Sequence, residues 1–268
     1  MLNNVFLKTL RDRRRSLVWW SLGVFVFALF IGLFWPILRD SQDQLRTVLA
    51  TFPDELFGLF GVASADEMFT PAGYVSSRAF GLLVPVVFAV YAAAMGAQLI
   101  AGEEEAHTMD LLLANPVPRE RIVWQKWLAM VAVMAILGLA LLAAVVIADI
   151  AFGLGIPFDR YFAASLQATL LGLVFGSVAF AAGALGAPRG LTLGIVSALA
   201  VATFLVNSLG TVTDWMEKVR VVSPFYYYDS KRPLVEGFDV VNALILAAVA
   251  VAGVLVARWG FPRRDVRI

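Results

Sequence analysis

The stretch Gly102-Glu103-Glu104-Glu105-Ala106-His107-Thr108-Met109-Asp110-Leu111-Leu112-Leu113-Ala114-Asn115-Pro116-Val117-Pro118-Arg119-Glu120-Arg121-Ile122-Val123-Trp124-Gln125-Lys126 is a polar interruption between two apolar runs. Residues 79–101 precede it and residues 122–150 begin within its last few residues, each run long enough for a helix to cross a hydrocarbon layer of about 30 Å. Charges in such a place are costly unless they meet water or something else outside the bilayer. The segment therefore reads as a loop between membrane spans, and that reading decides the fold.

Working outward, the whole chain has the same character. Of its 268 residues 60% are apolar and 15% charged, with a mean hydropathy of +0.82, whereas ordinary globular chains carry about 25% charged residues. Six apolar runs predict six spans over residues 17–38, 79–101, 122–150, 161–186, 191–209 and 240–257. The expected fold class is all-α integral membrane, a single domain over residues 1–268. Pro85 is a candidate kink in span 2, and Asp149 sits at the far end of span 3. Residues 39–77 form a polar loop with an amphipathic piece, Leu45, Val48, Leu49 and Phe52, ended by Pro53.

The N-terminal segment mixes Leu2, Val5, Phe6 and Leu10 with Lys8, Arg11 and Arg15 at helical spacing. Residues 1–16 are expected to form a basic helix lying on an anionic membrane surface; the alternative is a charge cluster that only sets orientation. The apolar run behind it is 22 residues long, exceeding the roughly 7–15 of a signal peptide, so it reads as a retained anchor. With an internal N-terminus, 13 of the 21 basic residues fall on the inner side, while the outer segments take 13 of the 20 acidic ones. The positive-inside rule then predicts cytoplasmic N- and C-termini, and the seven tryptophans near span ends agree with that layout.

Composition also removes chemistry. There is no cysteine and a single histidine, His107, so thiolate and multi-histidine metal sites are out of reach. No Gly-x-x-x-x-Gly-Lys-Ser/Thr loop is present, and with it goes the usual means of holding ATP. Glu103, Glu104 and Glu105 beside a span invite comparison with intramembrane hydrolases, but that chemistry wants further histidines. The better reading is structural: a short helix over 103–114, acidic at its start, ended by Asn115-Pro116 and followed by Pro118 opening the next helix. Met109, Leu112 and Leu113 share one face of it. That face either meets a partner or rests on the lipid interface.

The pattern from Glu104 to Lys126, with Thr108-Met109-Asp110-Leu111-Leu112-Leu113-Ala114, Pro116-Val117, Arg119, Ile122-Val123 and Lys126, resembles the cytoplasmic loop of ABC-2 type permeases. Ser223-Pro224-Phe225-Tyr226-Tyr227 and Pro233-Leu234 with Gly237 look like that family's stretch before span 6. The resemblance implies a membrane subunit of an exporter whose ATPase is a separate chain. It implies that the 103–114 helix couples to that ATPase, with Glu103, Glu104, Glu105, His107, Thr108, Met109, Asp110, Leu112, Leu113 and Arg119 as contacts. ATP and magnesium would bind the partner, with no cofactor or metal here and no nucleic acid. Where the family usually has glycine before the threonine, this chain has His107.

The resemblance further implies a path lined by spans 2 and 5, which carry Gln98 and Asn207, with Phe225 and Tyr226 as aromatic candidates beside it; an aromatic belt explains the latter equally. Gly172, Gly176 and Gly183 make a small-residue stripe on span 4, suited either to packing within one subunit or to a dimer interface. The expected function is therefore the permease subunit of an ATP-driven exporter in a cell membrane, multi-pass, in a prokaryote. It would pair with a second copy or a paralogue, two ATPase subunits and membrane lipid. The alternative is a membrane anchor that docks a cytoplasmic partner and transports nothing.

Overall fold

The computed structural model describes residues 4–41, 66–109, 117–210 and 218–263, whose regular structure is all helical, with no strand among them. Among the described residues six helices are long and apolar enough to cross a membrane: α1 (Val5–Asp40), α2 (Pro71–Glu105), α3 (Arg119–Phe152), α4 (Phe158–Ala184), α5 (Arg189–Leu209) and α7 (Val240–Gly260). A short α6 (Pro224–Asp229) precedes α7. The chain is a multi-pass membrane protein.

Helix α4 is the post around which the others stand. It packs against α2, α3 and α7, while α1 lies on α3 and α5 touches the bundle more lightly. Small residues make the central contact possible. A Cβ on Gly96 of α2 would lie 2.1 Å from the Gly176 carbonyl oxygen of α4, so these two backbones meet where only glycine fits. Trp127 Nε1 of α3 donates to Ser177 Oγ of α4 at 2.9 Å. The buried indole thus has its polar handle satisfied.

Several sequence expectations need correction. The basic segment 1–16 is not a separate interfacial helix: from Val5 on it is the beginning of α1, capped by the Asn4 side chain on the amides of Phe6 and Leu7. Nothing between Lys8 and Leu22 breaks a helix, and Leu, Arg and Lys favour one. Its 36 residues span about 54 Å, well beyond the hydrocarbon layer. Span 2 begins earlier than residue 79, at Pro71, and Pro85 does not kink it. The irregularity lies ahead of that proline, in a π-turn over Ser76–Phe80 and a break at Leu82 (φ −137°), so that Pro85 falls in a fresh first turn, where it is tolerated. Spans 3 to 6 each start or end within a few residues of expectation, with Pro118 at the N-cap of α3 rather than inside it. The loop before span 6 is itself structured, holding α6 and a π-turn over Arg232–Glu236. The amphipathic piece at 45–52 lies outside the described residues.

Contacts sort the connections onto two ends of the bundle. At one end the Val5 amide donates to Gln125 Oε1 at the start of α3 (3.0 Å), and Arg258 near the end of α7 pairs with Glu120 (2.9 Å). The same end holds the α2–α3 and α4–α5 connections. At the opposite end Tyr74 Oη donates to Ile31 O (2.8 Å), and Tyr228 Oη donates to Phe80 O (2.6 Å).

Candidate functional site

The acidic triplet is where sequence and structure part most usefully. Glu103–Glu105 does not open a new helix over 103–114; it is the last turn of α2, reached through a π-turn over Gln98–Gly102. The helix then closes by a left-handed cap. His107 has φ +53°, its amide donates to Glu104 O (3.0 Å), and the Thr108 amide donates to Glu103 O (2.9 Å). Those two bonds, six-to-one and five-to-two around a left-handed residue, are the Schellman arrangement. The position is one that glycine normally fills, because a Cβ there is strained by roughly 1–2 kcal/mol. The departure at His107 noted in the sequence is therefore a residue held in glycine's conformation.

Acidic side chains at a helix C-terminus oppose its dipole, and here Glu103 and Glu105 are each turned to another helix. Glu103 pairs with Lys126 of α3, a lysine only 1% exposed whose ammonium also donates to Leu99 O at 2.6 Å. Glu105 Oε1 accepts from the Arg189 amide at 2.7 Å, the first residue of α5. An anion there satisfies one of the unpaired amides of a helix N-terminus. One turn of backbone thus holds the end of α2 to the beginnings of both α3 and α5. The sequence pattern shows Lys126 only as the end of the loop motif and gives it no partner. Its position seven residues inside an apolar helix was the available signal.

Of the remaining expected contacts, His107 and Thr108 are exposed and Arg119 is half-buried. Met109 is 0% exposed and belongs to the core, which leaves it no surface to offer. Asp110, Leu112 and Leu113 lie outside the described residues. The stripe of Gly172, Gly176 and Gly183 faces α2 within this chain: added Cβ atoms would meet Phe88 O, Ala92 and Ala101, with Met134 and Met130 of α3 alongside.

The four expected path residues do not come together. Gln98 is in the π-turn near Arg13 and Arg189, whereas Asn207 sits 18 residues along α5 from Arg189, about 27 Å away. Asn207 is joined at that far end by Arg220 (3.4 Å), whose guanidinium lies 5.5 Å over the Tyr226 ring. Phe225 is 3% exposed and wedged between Phe175 and Phe204, with ring centroids 5.5 and 5.4 Å away. It packs α6 onto α4 and α5.

Close by, Arg232 Nη1 binds both Glu67 carboxylate oxygens at 2.6 Å, tying the π-turn before α7 to the approach to α2. Asp229, at the end of α6, has its carboxyl pushed up to about 6. Burial is the main cause, reinforced by Glu67 and opposed by Arg220 and Arg232. Among the described residues no cluster of three or more His, Asp or Glu side chains could hold a metal ion.

Comparison with known families gives the frame for these observations. The family model described as ABC-2 family transporter protein matches residues 3–266. The chain belongs to the ABC-2 transporter family. That match runs through all six spans and both polar connections and is consistent with a membrane permease component. No curated protein matches the chain.

Proposed function

We propose that this chain is the permease subunit of an ATP-driven exporter in a prokaryotic cell membrane, with its termini and the α2–α3 connection on the cytoplasmic side. Two copies, or one copy and a paralogue, assemble with two separate ATPase subunits that bind ATP and magnesium. The observation that carries the reading is the end of α2. Glu103 holds Lys126 of α3, and Glu105 holds the first amide of α5. A displacement delivered to the connection between Glu105 and Arg119 would reach three spans at once through these bonds. The ATP-bound partners need only bind one arrangement of the spans better than the other to switch access across the membrane. The basic character of the end bearing Arg11, Arg13, Arg14, Arg15 and Arg189 supports the inward orientation.

The test is purification of the tagged chain from native membranes with its partners, repeated for the Leu112→Asp/Leu113→Asp variant. The proposal expects an ATPase subunit to accompany the wild-type chain, and the double variant to reach the membrane without it. Should the ATPase accompany both equally, the docking surface is elsewhere. Should none accompany the wild type, or should ATP hydrolysis by the complex drive no transport, the anchor reading takes its place.

A further inference from the structure

Three openings lie in line along the seam between α1 and α2. The first, about 140 Å³, is bounded by Arg13, Ser16, Trp20, Tyr91, Gln98 and Arg189. The second, about 420 Å³, shares Trp20 and continues past Val24, Phe27, Val84 and Phe88. The third, about 640 Å³, shares Phe27 and Leu83 and ends near Tyr74 and Arg78. The seam exists because α1 packs on α3 and leaves its α2 side largely open, with the Trp20–Tyr91 ring contact at 5.1 Å as a bridge.

The first opening differs from the rest in chemistry. Two arginines from separate helices line it and, among the described residues, no acidic side chain does; the nearby Glu105 carboxylate is engaged with the Arg189 amide. Tyr91 is 5% exposed, and its hydroxyl faces Ser16 but closes no hydrogen bond of ordinary geometry. A buried hydroxyl without a partner is costly, and an anionic oxygen in the opening would satisfy it together with both guanidinium groups. Beyond Trp20 the walls turn apolar. From Arg13 to Phe27 the seam runs 14 residues along α1, about 21 Å, which matches one leaflet of a bilayer from headgroup to midplane.

We propose that this seam is a binding site for an anionic phospholipid. Its phosphate lies between Arg13 and Arg189 with Tyr91 donating to it, and an acyl chain runs past Trp20, Val24 and Phe27. The headgroup charge provides selection and the apolar groove provides length. A free phosphate would use only the first opening.

Native mass spectrometry of the full chain tests this, with phosphatidylglycerol and phosphatidylcholine of identical acyl chains added at equal concentration. Phosphatidylglycerol should be retained in preference, and Arg13→Gln/Arg189→Gln should lower that preference by about fivefold per arginine removed. Arg14→Gln/Arg15→Gln, on the same helix but outside the opening, should leave it within about twofold. Tyr91→Phe, which keeps the ring contact with Trp20, should lower retention severalfold and serves if the arginine variant fails to fold. Equal retention of the two lipids overturns the proposal. Equal losses in both arginine pairs also overturn it, since attraction would then belong to the basic surface at large. Displacement of the lipid by equimolar inorganic phosphate would make the opening a site for a free anion and end the lipid reading.

Discussion

The two ends of the bundle carry similar numbers of charges and use them in opposite ways. At the end with the chain termini, Glu103, Lys126 and Glu105 lock spans to one another, and the lysine is withdrawn from solvent. At the other end, Glu67, Arg232, Asp229 and Arg220 join connecting segments that sit on top of the spans. The first arrangement makes separate helices move as a unit. The second makes a cap whose parts depend on one another and on protonation. The proposed direction of force, from the α2–α3 connection into the spans, fits a rigid first end and a responsive second one.

The sharpest way to break the comparison is at Lys126. Glu103→Gln leaves the buried ammonium without its counter-charge, and removing one charge of a buried pair costs about 3–5 kcal/mol. Lys126→Met combined with Glu103→Gln should recover most of that loss, because the uncompensated charge goes with it. Thermal unfolding of the purified chain in one detergent would order the variants as wild type, double and then single. A single variant as stable as wild type would mean that the pair holds nothing together.

Next in size is the pH response of the cap. The Asp229 carboxyl ionises in the folded chain only near pH 6, above its ordinary value of 3.8. Its raised value means the folded chain binds the proton more tightly than the unfolded one between roughly pH 4 and 6. Stability is therefore fully present below about pH 4, falls as pH rises toward 6 and stays level above it, by a total of about 3 kcal/mol. Asp229→Asn should abolish that slope while leaving the pH dependence of the other end untouched. A slope that survives the substitution would assign it to another group.

The contrast also explains what was legible beforehand. Six spans and their approximate ends followed from apolar runs near 20 residues, because the bilayer imposes that length on any helix crossing it. The residues flanking the runs followed less well. Helix propensity continues through Lys8 and Arg15 whether or not lipid surrounds them, so hydropathy saw two elements where the backbone has one. The acidic triplet misled for a related reason. A run of glutamates suits a helix start on electrostatic grounds, and only the pairing of Glu103 with a lysine 23 residues away shows why it can end one. Phe225 and Tyr226 read alike as aromatic, yet one is core and the other lies under a guanidinium, a distinction made by tertiary packing.

His107 gives a smaller and oppositely signed effect. It occupies φ +53° at the cap of α2, so His107→Gly should stabilise the chain by about 1 kcal/mol by relieving the left-handed strain. Glycine also gains freedom in the unfolded chain, which trims the benefit. The variant should melt slightly higher, and His107→Val slightly lower, since a β-branched residue resists that conformation most. A higher melting point for the valine variant would show that the cap is not what limits the turn.

The smallest change in stability belongs to Glu105→Gln, and it probes the comparison most directly. The glutamine keeps a carbonyl oxygen for the Arg189 amide but removes the charge that complements the start of α5. Such an exposed helix-terminus interaction is worth about 0.3–1 kcal/mol, so the melting point should scarcely move. Its consequence for transport should be larger than its energy. If α2 drives α5 through this one contact, loosening it lowers the number of substrate molecules moved per ATP hydrolysed while ATPase docking and hydrolysis persist. Unchanged transport per ATP would mean that α5 follows α2 through its packing alone, and the rigid end would then rest on Glu103 and Lys126.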